Sequence, residues 1–114
     1  MHSMSSRVAA AALGLLAAGA AGAQSAATTG QALAASKACM ACHQVDTKRV
    51  GPPLRSVAER YAGQPDAAAY LAGKIRSGGS GLWGAVPMPA QPQVSPDDAR
   101  LLAEWVLSLA PAKP

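Results

Sequence analysis

The sequence predicts an all-α domain of four to five short helices, and three observations carry that prediction. Apolar residues recur at helical spacing in several short windows, and no stretch alternates as a half-buried strand does. Those windows are bounded by proline, glycine and capping residues, as helices are. Between them lies Cys39-Met40-Ala41-Cys42-His43, two thiols three residues apart followed at once by an imidazole. That spacing reads as a c-type haem attachment site, so the helices are expected to wrap around one covalently bound haem.

Residues 1–23 are set aside first. Arg7 gives a positive start, Val8 to Ala21 is an uncharged run of Ala, Leu and Gly, and Ala21-Gly22-Ala23 is a small-x-small cleavage signature before Gln24 and Ser25. This is the pattern of a secretory signal peptide. The alternative, a retained membrane anchor, needs about 20 apolar residues, more than this run supplies. Cleavage after Ala23 leaves 24–114, about 90 residues and one small domain. Its aromatic content is limited to Tyr61, Tyr70, Trp83 and Trp105, with no Phe. Small cores of this kind commonly depend on a staple, a metal or a cofactor, and a buried haem offers a large flat apolar surface to pack against.

Each element has its own signal. Residues 24–29 are small and polar, and Thr28 or Thr29 can cap a first helix running to about Ala41, with Leu33 as its main apolar anchor. Gln44 to Val50 has no periodicity and reads as a loop. Gly51-Pro52-Pro53 opens a second helix, because proline's missing N–H costs nothing at a helix start. Leu54, Val57, Ala58 and Tyr61 then form an inward stripe, and Gly63 ends it. A third helix is expected from Pro65-Asp66 to about Arg76, facing inward with Tyr70, Leu71 and Ile75. Ser77-Gly78-Gly79-Ser80-Gly81 must be a tight loop. Leu82 to Val94 is irregular and rich in proline, yet too apolar to be solvated, so it is expected to lie over something. Ser95-Pro96-Asp97-Asp98 offers a cap, a proline and early acid to a last helix, with Leu101, Leu102, Trp105, Val106 and Leu109 as its stripe and Pro111 as its stop.

The chemistry of the Cys39–His43 run follows from its spacing. On one helical face, each sulfur can add to one of two vinyl groups of a single porphyrin, and His43 is then held beneath the ring to give a nitrogen to the iron. A thioredoxin-like dithiol needs a βα context that the pattern does not offer. A structural zinc site needs four ligands, and the only other His is His2 in the leader. A plain disulfide, favoured in an oxidising compartment, leaves His43 unexplained. A second axial ligand is expected from methionine. Met40 is confined between the cysteines, whereas Met88 stands in Val86-Pro87-Met88-Pro89, where flanking prolines limit the freedom of the loop. The bland role for a lone methionine is to fill a gap in the core.

Taken together, Cys39 to His43, Gly51-Pro52, Trp83-Gly84, Val86-Pro87-Met88-Pro89 and the Trp105-Val106-Leu107 helix resemble class I cytochrome c. The likeness is nearest to the short bacterial type that carries electrons in the periplasm to nitrite reductases or terminal oxidases, and it covers residues 30–110. The resemblance implies that the Pro52 carbonyl accepts the Nδ1–H of His43, and that Trp83 donates its indole N–H to a haem propionate. It places Gln91 where relatives often have an Asn donating to the methionine sulfur. It puts Lys74 where the family commonly binds a propionate with Arg, a point charge in place of a bidentate fork. It also sets Ala34 where the family usually has an aromatic partner for Trp105, which implies a weaker crossing of first and last helices.

The function these residues imply is a soluble periplasmic one-electron carrier, not an enzyme, with one haem c bound through Cys39 and Cys42 and its iron held by His43 and Met88. Its partners would be redox proteins: a donor such as a membrane cytochrome complex, an acceptor such as a terminal oxidase, nitrite reductase or peroxidase. The runner-up is a haem-based ligand binder or peroxidase-like protein with Met88 off the iron; a third reading is a subunit of a larger redox complex. The formal charge of +4 falls to about +3 without Arg7 and to about +1 with two haem propionates. The basic residues are scattered without interleaved aromatics, which argues against nucleic acid, and a monomer is expected.

Overall fold

Ser95 starts the helix on which the others rest. Its side-chain oxygen accepts from the backbone N–H of Asp98 at 3.1 Å, Pro96 takes the first helical position, and Asp97 and Asp98 set negative charge against the helix N-terminus. The helix, α4, runs Pro96–Ser108. The computed structural model describes residues 26–111 together with Ala11, Ala12 and Gly14. Apart from those three, the expected leader 1–23 and its cleavage point lie outside the described residues. Three further α-helices precede α4: α1 at Ala26–Ser36, α2 at Leu54–Tyr61 and α3 at Ala67–Ser77. All three pack against α4, and the all-α expectation is met.

The inner face of α4 consists of Ala99, Leu102, Ala103, Trp105 and Val106, all buried. Leu101, expected in the stripe, instead points outward and is 49% exposed. Small Ala99 and Ala103 take its place, because three helices must approach one helix closely. The stripe expected of α2 is in place, with Leu54, Val57 and Ala58 buried and Tyr61 half-buried.

The N-terminal helix departs from expectation twice. Its described span is Ala26–Ser36, so Thr28 and Thr29 fall inside it rather than at its start. It also stops at Ser36. Ala38 adopts the left-handed region (φ 61°), and Cys39–Ala41 forms a separate 3₁₀ turn. Closure comes from Lys37 N–H donating to the Leu33 carbonyl at 3.0 Å and Ala38 N–H to that of Ala35 at 3.2 Å. The anchor of α1 is not Leu33, which is half-buried, but the pair Gly30 and Ala34, one turn apart and both buried. A Cβ on Gly30 would stand 2.3 Å from Trp105 Cβ and Cγ. The absent side chain is what admits the indole, which is only 4% exposed.

Candidate functional site

The 3₁₀ turn places the two cysteines. With three residues per turn, positions i and i+3 eclipse, so Cys39 and Cys42 share a face more closely than they would in the α-helix expected there. His43 N–H and Cys42 N–H both donate to the Cys39 carbonyl, at 3.1 and 3.2 Å. Both cysteines are half-buried and are not bonded to each other. The chain then loops back on itself. Gly51 N–H donates to the Cys42 carbonyl at 2.7 Å, Leu54 N–H to Gln44 at 2.9 Å and Arg55 N–H to Val45 at 3.0 Å.

That loop carries Pro52 to His43, with Nδ1 2.9 Å from the Pro52 carbonyl oxygen. A carbonyl only accepts, so Nδ1 holds the proton and Nε2 keeps the lone pair a metal requires. Gly51 is part of the same fit: a Cβ there would stand 2.5 Å from His43 Cε1 and 2.8 Å from Nδ1. Arg55 braces the loop from outside, donating through Nε to Asp46 and through Nη1 to the Leu109 carbonyl at the end of α4, each at 2.6 Å.

Met88 approaches from the other side of the sequence. Its N–H donates to the Gly79 carbonyl at 2.8 Å and its carbonyl accepts from Gly79 N–H at 3.1 Å, a single antiparallel bridge. Proline forces the residue before it into extended backbone, so Pro89 prepares Met88 for this pairing. Gly78 lies alongside at φ 71°, where a Cβ would meet the Met88 carbonyl oxygen at 2.5 Å. A further bond, Gln91 N–H to the Ile75 carbonyl at 3.1 Å, fastens the far end of the loop to α3. The double glycine, expected only as a tight loop, is therefore what lets the methionine strand lie against α3. No local pattern in the sequence pairs Gly79 with Met88.

Between these elements opens a cleft that widens to solvent. Of the expected site residues, Cys42, His43, Pro52, Lys74, Trp83 and Met88 line it. Cys39 and Gln91 do not; Cys39 sits half-buried against the core. The Gln91 amide is engaged within its own loop, donating to the Pro89 carbonyl at 3.5 Å and accepting from Gln93 at 2.6 Å. Lys74 Nζ lies 5.5 Å from the Tyr70 ring centre, and Tyr70 pairs with Tyr61 at 5.3 Å between centroids. Desolvation first, and the neighbouring Tyr70 hydroxyl second, raise the Tyr61 pKa. Arg60, read from sequence only as part of a solvated face, stands over the Trp83 ring at 4.9 Å.

The cleft fits a haem on the chemistry of its donors. Its remaining walls are mostly apolar, with Leu54, Val57, Leu71, Ile75 and Val106 among them. Among the described residues no three His, Cys, Asp or Glu side chains converge as a metal site made of protein ligands alone would require. Cys42, the His43 imidazole and the Met88 thioether line the cleft, and Cys39 stands one 3₁₀ turn before Cys42. Among the described residues no helix is long and apolar enough to cross a membrane.

Comparison with known proteins agrees with this geometry. Residues 27–110 match the family model described as Cytochrome c. The chain is 56% identical to cytochrome c-552 of Nitrosomonas europaea over 77 residues, spanning 68% of this chain and 75% of the relative. It is 55% identical to cytochrome c-551 of Stutzerimonas stutzeri over 80 residues, 70% of this chain and 76% of the relative. The crystal structure of wild-type Nitrosomonas europaea cytochrome c552 superposes with a TM-score of 0.68 at 54% identity, covering 69% of this chain and 98% of that one. Matched over nearly all of its described length and folded as its solved relatives are, the chain belongs to the cytochrome c family: a small class I monohaem cytochrome that carries single electrons between redox partners on a haem covalently bound through Cys39 and Cys42.

Proposed function

We propose that this cytochrome is exported, trimmed after Ala23, and shuttles electrons through the periplasm as a monomer with His43 and Met88 on its iron. The observation that carries the reading is the shared cleft: His43, with Nδ1 committed to Pro52, and Met88, bridged to Gly79, both line it. A haem bound here would supply the Fe(III)/Fe(II) couple, and His43 and Met88 as its ligands would raise the potential relative to two nitrogen ligands.

The protein's contribution is stiffness and exclusion of water. The Pro52 carbonyl fixes the ring of His43 and its tautomer. Pro87, Pro89 and the Gly79 bridge hold Met88 in one backbone conformation, so neither ligand has to move when an electron does. The apolar walls disfavour the more highly charged oxidised centre. Trp83 and Lys74, both lining the cleft, are assigned to the propionate edge. Gln91 can serve the Met88 sulfur only by releasing Pro89 and Gln93. A donor such as a membrane cytochrome complex, and an acceptor such as a terminal oxidase, nitrite reductase or peroxidase, suit a carrier of this kind.

The test is Met88→Ala in the holoprotein. The variant should have a lowered reduction potential and an iron that binds carbon monoxide or cyanide. A spectrum and potential equal to the parent's rule Met88 out as ligand.

A further inference from the structure

We propose that Arg60 is a positioning residue that holds the Trp83 indole at the mouth of the cleft. The need for such a peg comes from the segment it touches. Residues 80–87, the loop that the Gly79–Met88 bridge closes, wind along the cleft with Gly81 and Gly84 at φ 89° and 119°. Among the described residues, none of 80–87 makes a backbone-to-backbone hydrogen bond. Leu82, Trp83 and Val86 are 48%, 38% and 63% exposed, so burial does little to fix them.

Arg60, in the last turn of α2, reaches this segment from a rigid base. Its Nη1 donates to the Leu82 carbonyl at 3.1 Å, the one hydrogen bond from 80–87 to a helix among the described residues. The same guanidinium lies over the Trp83 ring at 4.9 Å and 5.8 Å from the centre of Tyr61. Its backbone carbonyl is also held, accepting from Gln64 Nε2 at 3.1 Å. A planar fork can stack on an indole and donate from its edge at once, whereas an ammonium is a point charge that must choose. Arg60 thus sets where the indole N–H points and places a fixed positive charge beside it. The consequence for the potential rests on the assignment of Trp83 to the propionate edge.

The experiment uses reduced holoprotein, with Arg60→Gln, Arg60→Lys and Trp83→Phe, read by proton exchange of the two indole N–H groups and by the pH dependence of the midpoint potential. In Arg60→Gln the Trp83 indole proton should exchange about two- to five-fold faster, the factor a cation–π contact of this kind corresponds to, while Trp105 is unchanged. Arg60→Lys should fall between. The potential–pH curve of Arg60→Gln should move in the direction that Trp83→Phe moves it. Unchanged exchange at Trp83, or an equal rise at Trp83 and Trp105, overturns the proposal. If Trp83→Phe leaves the curve where it was, the propionate assignment of Trp83 falls, and the exchange rates alone decide the role of Arg60.

Discussion

Gly30→Ala sets two well-characterised effects against each other, and the structure decides the winner. In a helix interior alanine is better than glycine by about 0.8–1.0 kcal/mol, so α1 considered alone gains from the change. Against that, the new methyl would lie 2.3 Å from Trp105 Cβ and Cγ and 2.7 Å from Cδ1. Rotating the indole cannot relieve the first of these contacts, since Cβ is fixed to the backbone of α4. The helices have to separate, and overpacking of this kind costs about 1–3 kcal/mol. A gap this far below van der Waals contact belongs in the upper part of that range, for a net loss of about 1–2 kcal/mol. The midpoint temperature should drop by about 4–8 °C for each kcal/mol in a domain of this size. Thermal unfolding of the holoprotein, followed by circular dichroism, measures it. In a Trp105→Leu background the penalty should shrink only in part, because the planar ring is gone while leucine keeps a Cβ and a Cγ where the methyl must fit. A Gly30→Ala protein as stable as the parent, or more so, would refute the claim that the glycine is there to admit the tryptophan.

Two other expectations concern stability. Ala38 sits at φ 61°, a conformation that costs a residue with a Cβ about 1–2 kcal/mol, so Ala38→Gly should stabilise the holoprotein by about 1 kcal/mol in denaturant unfolding without altering its absorption spectrum. Tyr61 is held above its ordinary pKa in the folded protein, so its stabilising contribution is complete below the unfolded value of about 10 and is lost as pH rises through the folded value. Unfolding midpoints should decline across that alkaline range, and less steeply in Tyr61→Phe; equal slopes would place the effect elsewhere.

The fold and much of the site were legible where the signal is local. The caps and stripes of α2 and α4 lie within single windows, as does the Cys39–His43 spacing. What was missed depends on contacts distant in sequence. Leu33 looked like the anchor of α1 because hydrophobicity suggests burial, but the partner is an indole, and fitting it selects Gly30 and Ala34. The break at Ala38 has no glycine or proline to announce it, so the cysteines were placed on a continuing helix. The prolines around Met88 are visible in the sequence, whereas its pairing with Gly79, in a stretch that reads only as a tight loop, is not. Arg60 looked solvated because nothing local shows that Leu82 and Trp83 return beside it.

The proposed electron carrier rests on His43 and Met88, which line one cleft, holding a six-coordinate iron between them. The oxidised absorption spectrum of the purified holoprotein tests that most directly. A weak methionine-to-iron charge-transfer band, on a low-spin background, is the predicted result. A high-spin spectrum without that band would contradict it and return the protein to the class of haem proteins whose iron is open to ligands.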